Sequence, residues 1–83
     1  PNPFNPETTI CYQLYKSGRV NICIYNMMGQ PVRVLENRVQ RAGFHEVHWD
    51  GRDSDGTILS GGVYFCRITA GDMMQSIKLN IIR

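Results

Sequence analysis

The sequence predicts an all-β fold, an antiparallel β-sandwich of six or seven short strands. Two observations support this prediction. Short runs of alternating apolar and polar residues recur along the chain, separated by turn-forming residues at intervals of about eight to twelve. No segment shows the apolar period of an amphipathic helix. With 83 residues, 42% of them apolar and 19% charged, the chain has the size and composition of one folded domain, residues 1–83.

The chain opens with a proline-rich segment that precedes two predicted strands. Three prolines among residues 1–8 exclude a helix, so we expect an extended segment with Phe4 anchored in the core, and a linker is the alternative. Residues 9–14 and 20–25 each carry apolar side chains at every second position, which predicts two strands. Residues 16–18 between them favour a turn.

Two further strands are predicted in the middle of the chain. Val32 and Val34 alternate with Arg33, which predicts a short third strand over residues 31–35. Residues 37–43 form a polar connection, and residues 44–49 then alternate as a fourth strand. This strand contains the single tryptophan, Trp49, which we expect in the core.

The last third of the chain predicts a β-hairpin. Residues 50–56 are a dense cluster of turn formers, and residues 57–61 form a short strand or a loop. Two arms that alternate over residues 64–69 and 76–81 flank the turn Ala70-Gly71-Asp72. If the final strand lies at a sheet edge, a partner can read it by strand addition.

Composition and charge exclude several classes of function. The net charge of +2 is small and its Lys and Arg residues are scattered, which disfavours nucleic-acid binding. No apolar run is long enough for a transmembrane helix. Because the chain begins at Pro1 and not at Met, we expect a fragment of a longer protein. No catalytic constellation is present, so we expect no enzyme activity and no cofactor.

The aspartates of the turn cluster are the weak metal candidates. Asp50, Asp53 and Asp55 precede Gly56, as acidic ligands do in a calcium loop. The match is poor, because a glycine stands where the first acidic ligand belongs and Arg52 would oppose a cation. Asx turns explain the same residues without a metal, and the sequence favours that interpretation.

The histidines and cysteines give no metal or catalytic pattern. His45 and His48 alternate onto opposite faces of one strand and cannot share a metal without another element. Cys66 alternates with apolar residues, as a buried and inert thiol does. If the first two strands pair around their turn, Cys11 lies opposite Cys23, at a Cα separation of about 4.5–5.5 Å that permits a disulfide. The alternative is two separate thiols.

Several blocks of the sequence together resemble a known family. The blocks are Pro1-Asn2-Pro3-Phe4-Asn5-Pro6-Glu7-Thr8-Thr9-Ile10, Val20 through Gly29 with Val32, Trp49-Asp50-Gly51-Arg52-Asp53, Ser60-Gly61-Gly62-Val63-Tyr64-Phe65 and Lys78. In this order they resemble the type A C-terminal sorting domains of the type IX secretion system. The Trp-Asp-Gly and Gly-Val-Tyr blocks are shared with the Ig-like module of the flagellar hook-capping protein.

The resemblance implies an Ig-like antiparallel β-sandwich of about seven strands, attached to an N-terminal cargo domain. It implies a secreted or cell-surface protein whose sorting domain directs the cargo across the outer membrane. The implied partners are the secretion translocon and a surface sortase-like peptidase. The implied recognition residues lie in the last hairpin: Gly62, Val63, Tyr64, Lys78, Leu79 and Ile81.

Two other functions remain open. One is a structural Ig-like module that caps or spaces a large extracellular protein. The other is a carbohydrate-binding module, which requires an exposed aromatic platform. Its candidates Tyr15, Tyr25 and Phe44 fall on different strands or turns, which disfavours that function.

Overall fold

The computed structural model of the chain describes residues 8–83. They form six strands, which are β1 (Thr8–Leu14), β2 (Gly18–Asn26), β3 (Pro31–Gln40), β4 (Gly43–Trp49), β5 (Gly62–Ala70) and β6 (Met73–Ile81). The expected anchoring of Phe4 lies outside the described residues. Thr8, expected at the end of the extended segment, is the first residue of β1.

The strands form two antiparallel sheets. One sheet pairs β1 with β4, and the other has the order β3-β2-β5-β6. The predicted all-β sandwich is therefore confirmed, although the described residues contain six strands where about seven were expected. The missing strand is residues 57–61, of which only Ile58 forms an isolated bridge, to Arg52. Residues 8–83 contain no helix long and apolar enough to cross a membrane.

The core lies between the two sheets and follows the alternation of the sequence. Trp49 is 1% exposed, which confirms its predicted position in the core. The other members of the core cluster are Ile10, Tyr12 and Leu14 of β1, Val20, Ile22 and Ile24 of β2, Val47 of β4, Tyr64, Cys66 and Ile68 of β5, and Ile81 of β6. Because successive side chains of a strand point to opposite faces, these alternating residues all point inward.

The third strand is longer than the sequence indicated. Residues 37–40 were expected in a polar connection, but they continue β3 and pair with the start of β2. β3 is an edge strand, where polar side chains remain solvated, so a polar sequence does not end the strand. Gln40 is buried at its end and accepts a 2.6 Å hydrogen bond from the Tyr12 hydroxyl of the opposite sheet.

The first two strands do not pair with each other, although the possible disulfide depended on that pairing. β1 pairs with β4, so Cys11 lies opposite Glu46, while Cys23 of β2 lies between Val34 and Arg67 in the other sheet. The two cysteines are free thiols on different sheets, which removes the geometric basis of the proposed disulfide. The turn after β1 carries the chain across the sandwich and not back along the same sheet.

The predicted terminal hairpin is confirmed. β5 and β6 pair from Gly62 with Ile81 to Ala70 with Met73, around the turn Gly71-Asp72. Gly71 has a φ of +59°, which a glycine adopts at the first central position of a tight hairpin turn. β6 lies at the edge of the four-stranded sheet, as strand addition requires.

Candidate functional site

Two of the sequence blocks meet at one end of the sandwich. The Trp49 ring lies edge-on to the Tyr64 ring, with centroids 5.4 Å apart and planes at 70°. The Trp49 indole nitrogen donates to the Arg52 carbonyl oxygen at 3.0 Å, and the Tyr64 hydroxyl donates to the Ser60 carbonyl oxygen at 2.8 Å. The two aromatic residues thus fix the loop between β4 and β5 at both of its ends.

An ion pair closes the same end. Arg33 of β3 donates to Asp50 Oδ1 at 2.9 Å and to the Arg52 carbonyl oxygen at 3.1 Å. Burial alone would raise the pKa of the Asp50 carboxyl. The hydrogen bonds from the Arg52 amide and the Arg33 guanidinium outweigh it, so this pKa lies below its usual value.

Asp53 holds the turn of the cluster through its side chain. Asp53 Oδ1 accepts the backbone N–H groups of Asp55 at 3.0 Å and Thr57 at 2.9 Å. Arg52 donates its guanidinium to the Gly56 carbonyl oxygen at 2.9 Å. Within residues 8–83 no group of three or more His, Cys, Asp or Glu side chains is placed to hold a metal ion. The hydrogen bonds of Asp50 and Asp53 are those of turn chemistry, in agreement with the favoured interpretation.

Arg83 also holds this end together. Its Nε donates to the Leu59 carbonyl oxygen at 2.6 Å, and a terminal guanidinium nitrogen donates to the Gly51 carbonyl oxygen at 3.3 Å. Sequence reasoning identified neither Arg33 nor Arg83. Both partners are distant in the chain, and an arginine that bonds backbone carbonyls leaves no spacing signal.

The six predicted recognition residues do not form one exposed surface. Tyr64 and Ile81 are buried, Val63 and Leu79 are half-buried, and Gly62 and Lys78 are exposed. Val63 and Lys78 point away from the core, while Tyr64, Leu79 and Ile81 point toward it. The core-facing residues are explained by packing. A recognition role for the set stays a prediction.

The histidines lie on opposite faces of β4, as predicted. His48 Nδ1 hydrogen-bonds Thr9 Oγ1 at 2.8 Å, and its Nε2 lies 3.6 Å from the Glu46 carboxylate. His45 stacks on Tyr12 with ring centroids 5.5 Å apart.

Burial raises the pKa of the Cys66 thiol to about 11, and Cys23 reinforces this shift. The thiol is therefore kept neutral and away from solvent.

Comparisons with known proteins identify relatives of the chain. Residues 8–73 match the family model described as the FlgD Ig-like domain. The chain is 41% identical over 54 residues to the basal-body rod modification protein FlgD of Salmonella typhimurium and to that of Salmonella typhi. The match covers 65% of this chain and 23% of each relative, so the chain spans about a quarter of their length.

The fold also has a solved counterpart. The crystal structure of FlgD from P. aeruginosa superposes with a TM-score of 0.72 at 23% sequence identity, covering 90% of this chain and 60% of that one. At this identity the likeness shows the fold alone, an Ig-like sandwich.

The matches contradict the expected sorting role. The family model and both curated relatives are of the FlgD class, which overturns the prediction of a type IX secretion sorting domain with a translocon and a sortase-like peptidase as partners. The Trp-Asp-Gly and Gly-Val-Tyr blocks, which are shared with the flagellar Ig-like module, indicated the correct family. The structural Ig-like module, given as the alternative, agrees better with these findings.

Proposed function

Because this chain belongs to the FlgD Ig-like domain family, we propose that it is a non-catalytic structural module of a larger protein that acts at the basal-body rod of the flagellum. The match to the family model over residues 8–73 is the observation that carries this proposal. The name of the relatives, basal-body rod modification protein, supports the proposed site of action. An extracellular position, implied by the earlier resemblance, stays a prediction.

The local chemistry supports a structural role. The polar side chains at the end of the sandwich are engaged in fixing loops: Arg33 with Asp50, Trp49 with Arg52, and Arg83 with Leu59. Within residues 8–83 no buried side-chain nitrogen or oxygen lacks a hydrogen-bond partner. Fixed loops and an interior whose polar groups are all hydrogen-bonded suit a spacer or cap, which has to hold its shape.

The test is a deletion and a replacement in the parent protein of the native host. Removing residues 8–83 is expected to leave the parent protein expressed but to reduce the number of completed flagellar rods seen by electron microscopy. Replacing them with the matching Ig-like segment of the Salmonella typhimurium relative is expected to restore assembly, because a module of the same fold keeps the spacing.

Two outcomes would overturn the proposal. Flagella of normal number and length in the deletion strain would show that the module has no role in assembly. A parent gene in an organism without a flagellar rod would remove the flagellar site of action and leave only a spacer role. Immunoblotting of the deletion strain controls for loss of the whole parent protein.

A further inference from the structure

The exposed face of the four-stranded sheet, here called the outer face, has a distinct composition. Its strand residues are Arg19, Asn21, Cys23 and Tyr25 of β2, Pro31, Val34, Asn37 and Val39 of β3, Val63, Phe65, Arg67 and Thr69 of β5, and Met74, Ser76, Lys78 and Asn80 of β6. Paired residues share a face, so these residues form continuous rows across the four strands. One row is Pro31, Tyr25, Phe65 and Lys78, and the next is Val34, Cys23, Arg67 and Ser76.

The charges of the outer face have one sign. Arg19, Arg67 and Lys78 are its charged residues, and none of these strand positions carries a carboxylate. The acidic side chains of the described residues lie elsewhere. Glu36 shares the inner side of β3 with its ion-pair partner Arg38 at 3.0 Å, and Asp72 lies in the β5–β6 turn. The charged strand residues of the outer face are therefore all cationic, which favours an anionic partner.

The outer face is also apolar. Phe65 is 37% exposed, Val34 54% and Met74 67%, and Met27 in the adjoining β2–β3 turn is 72% exposed. Exposed apolar side chains that cluster on one face mark interaction surfaces more often than scattered ones do. Because Tyr25 pairs with Phe65, the structure supplies an aromatic pair that the sequence order did not reveal.

A cavity brings the apolar and cationic features together. Arg67 lies over the Tyr25 ring, with its guanidinium carbon 4.5 Å from the ring centroid. This cation–π contact positions the guanidinium beside a cavity of about 220 Å³, whose lining residues are Tyr25, Asn26, Met27, Gly29, Phe65, Arg67 and Ser76. The cavity thus has aromatic walls and a positioned cation at its rim.

We propose that the outer face docks an extended acidic segment of a partner protein. An apolar side chain of that segment enters the cavity beside Tyr25 and Phe65, and neighbouring carboxylates pair with Arg67 and Lys78. In an extended segment every second side chain points the same way, at a spacing of about 7 Å. Phe65 and Arg67 are separated by the same distance along β5. Successive side chains on one side of the partner segment can therefore contact Phe65 and then Arg67.

Charge complementarity selects this occupant over two others. A second copy that docks by its own outer face would bring cations of the same kind close to Arg67 and Lys78, which is unfavourable. A nucleic acid needs many phosphate contacts for affinity, and three cations supply few. The inference rests on the proposed structural role, because a module within an assembly needs a face through which it meets its neighbours.

A binding experiment tests the proposal directly. The isotopically labelled chain is titrated with a short peptide that alternates glutamate and tyrosine, and amide chemical shifts are followed. We expect the shifts to concentrate at Tyr25, Phe65, Arg67 and Lys78, and to weaken at high salt because exposed charges are screened. The corresponding lysine–tyrosine peptide is expected to cause no such shifts.

Charge reversal supplies the matched control. Arg67→Glu and Lys78→Glu are each expected to weaken the acidic peptide roughly tenfold, because attraction becomes repulsion at a partly exposed site. Lys16→Glu makes the same change of net charge in the β1–β2 turn and is expected to leave binding unchanged. Thermal melts of all three variants verify the fold, and Lys78, on the edge strand, keeps the test valid if Arg67→Glu does not fold.

Three results would overturn the docking surface. These are binding centred on the β1–β4 sheet, equal weakening by all three variants, and a single-stranded oligonucleotide that binds the outer face more tightly than the peptide. None of them affects the deletion experiment in the host, so failure of the surface and failure of the structural role remain distinguishable.

Discussion

The charge of the Asp50 carboxylate stabilises the end of the sandwich where Arg33 and Trp49 lie. Its carboxylate accepts hydrogen bonds from Arg33 and from the Arg52 amide, and its pKa in the folded protein is lower than usual. Since the shift is downward, its stabilising effect is fully present above the unfolded pKa of about 3.9. It is lost as the pH falls through the lower folded pKa.

We therefore expect Asp50→Asn to reduce the free energy of unfolding by about 1 kcal/mol at neutral pH, because the side chain is partly exposed and solvent screens the ion pair. The difference from the natural protein should shrink as the pH falls below about 4. Urea unfolding across this pH range measures it. Asp55→Asn is the control, since the Asp55 side chain is exposed in the same cluster, and a difference that stayed constant with pH would contradict the assignment.

The three thiols are expected to differ widely in reactivity. Cys11 is exposed, whereas Cys23 is 6% and Cys66 0% exposed, and the pKa of Cys66 is raised to about 11. Near pH 8 only about one Cys66 in a thousand would be ionised even if reagent reached it. Alkylation followed by mass spectrometry should therefore modify Cys11 first and Cys66 last.

Unfolding the chain in urea should equalise the three rates. The intact mass should be the same before and after reduction, because Cys11 and Cys23 lie on different sheets. A gain of two daltons on reduction, or alkylation of Cys66 at the rate of Cys11, would contradict the structure.

At the scale of elements, the β5–β6 turn depends on one backbone conformation. Gly71 has a φ of +59°, whereas no described residue other than glycine has a positive φ. Gly71→Ala is expected to destabilise the protein by about 1–2 kcal/mol, because an L side chain is strained there. Gly18→Ala is the matched control: its added methyl group meets nothing within 4 Å and its φ is not positive.

Urea unfolding of both variants measures this difference. The control should be neutral or slightly more stable, since alanine also restricts the unfolded chain. Equal destabilisation by the two substitutions would contradict a specific requirement for a positive φ at Gly71.

The elements that the sequence predicted are those specified locally. The β5–β6 hairpin was predictable because its two arms and its turn are contiguous, so alternation and Gly71 suffice. The partner of β1 was not predictable, because the residues of a strand do not identify a partner that lies about thirty to forty positions away. The extension of β3 was missed because an edge strand tolerates the polar residues that usually mark a loop.

In the candidate site, too, locally specified features could be predicted from the sequence and contacts between distant residues could not. Trp49 and the alternation around Tyr64 identified the buried parts of the end of the sandwich, since large aromatic residues within alternating strands are usually core. Arg33 and Arg83 were not identified, because their contacts depend on the order of strands and on loop paths. The Tyr25–Phe65 pair was likewise visible only after β2 and β5 were known to be neighbours.

At the scale of the whole molecule, the two sheets depend on each other. The β1–β4 pair has two strands, and a two-stranded sheet is marginal in water without a packed face. Its inward residues, including Trp49, are buried against the four-stranded sheet. We therefore expect one cooperative unfolding transition that involves both sheets at once.

Two probes, one in each sheet, test this expectation. Trp49 fluorescence reports on β4, and protection of the Cys66 thiol from pulse alkylation reports on β5. Their urea midpoints should coincide. Ile22→Ala, at a fully buried position, should lower both midpoints equally and cost about 2–5 kcal/mol. Val34→Ala, on the outer face, should shift them little because this side chain is 54% exposed. Loss of the Trp49 signal while Cys66 stays protected would show that the small sheet opens alone, and that the four-stranded sheet is stable without it.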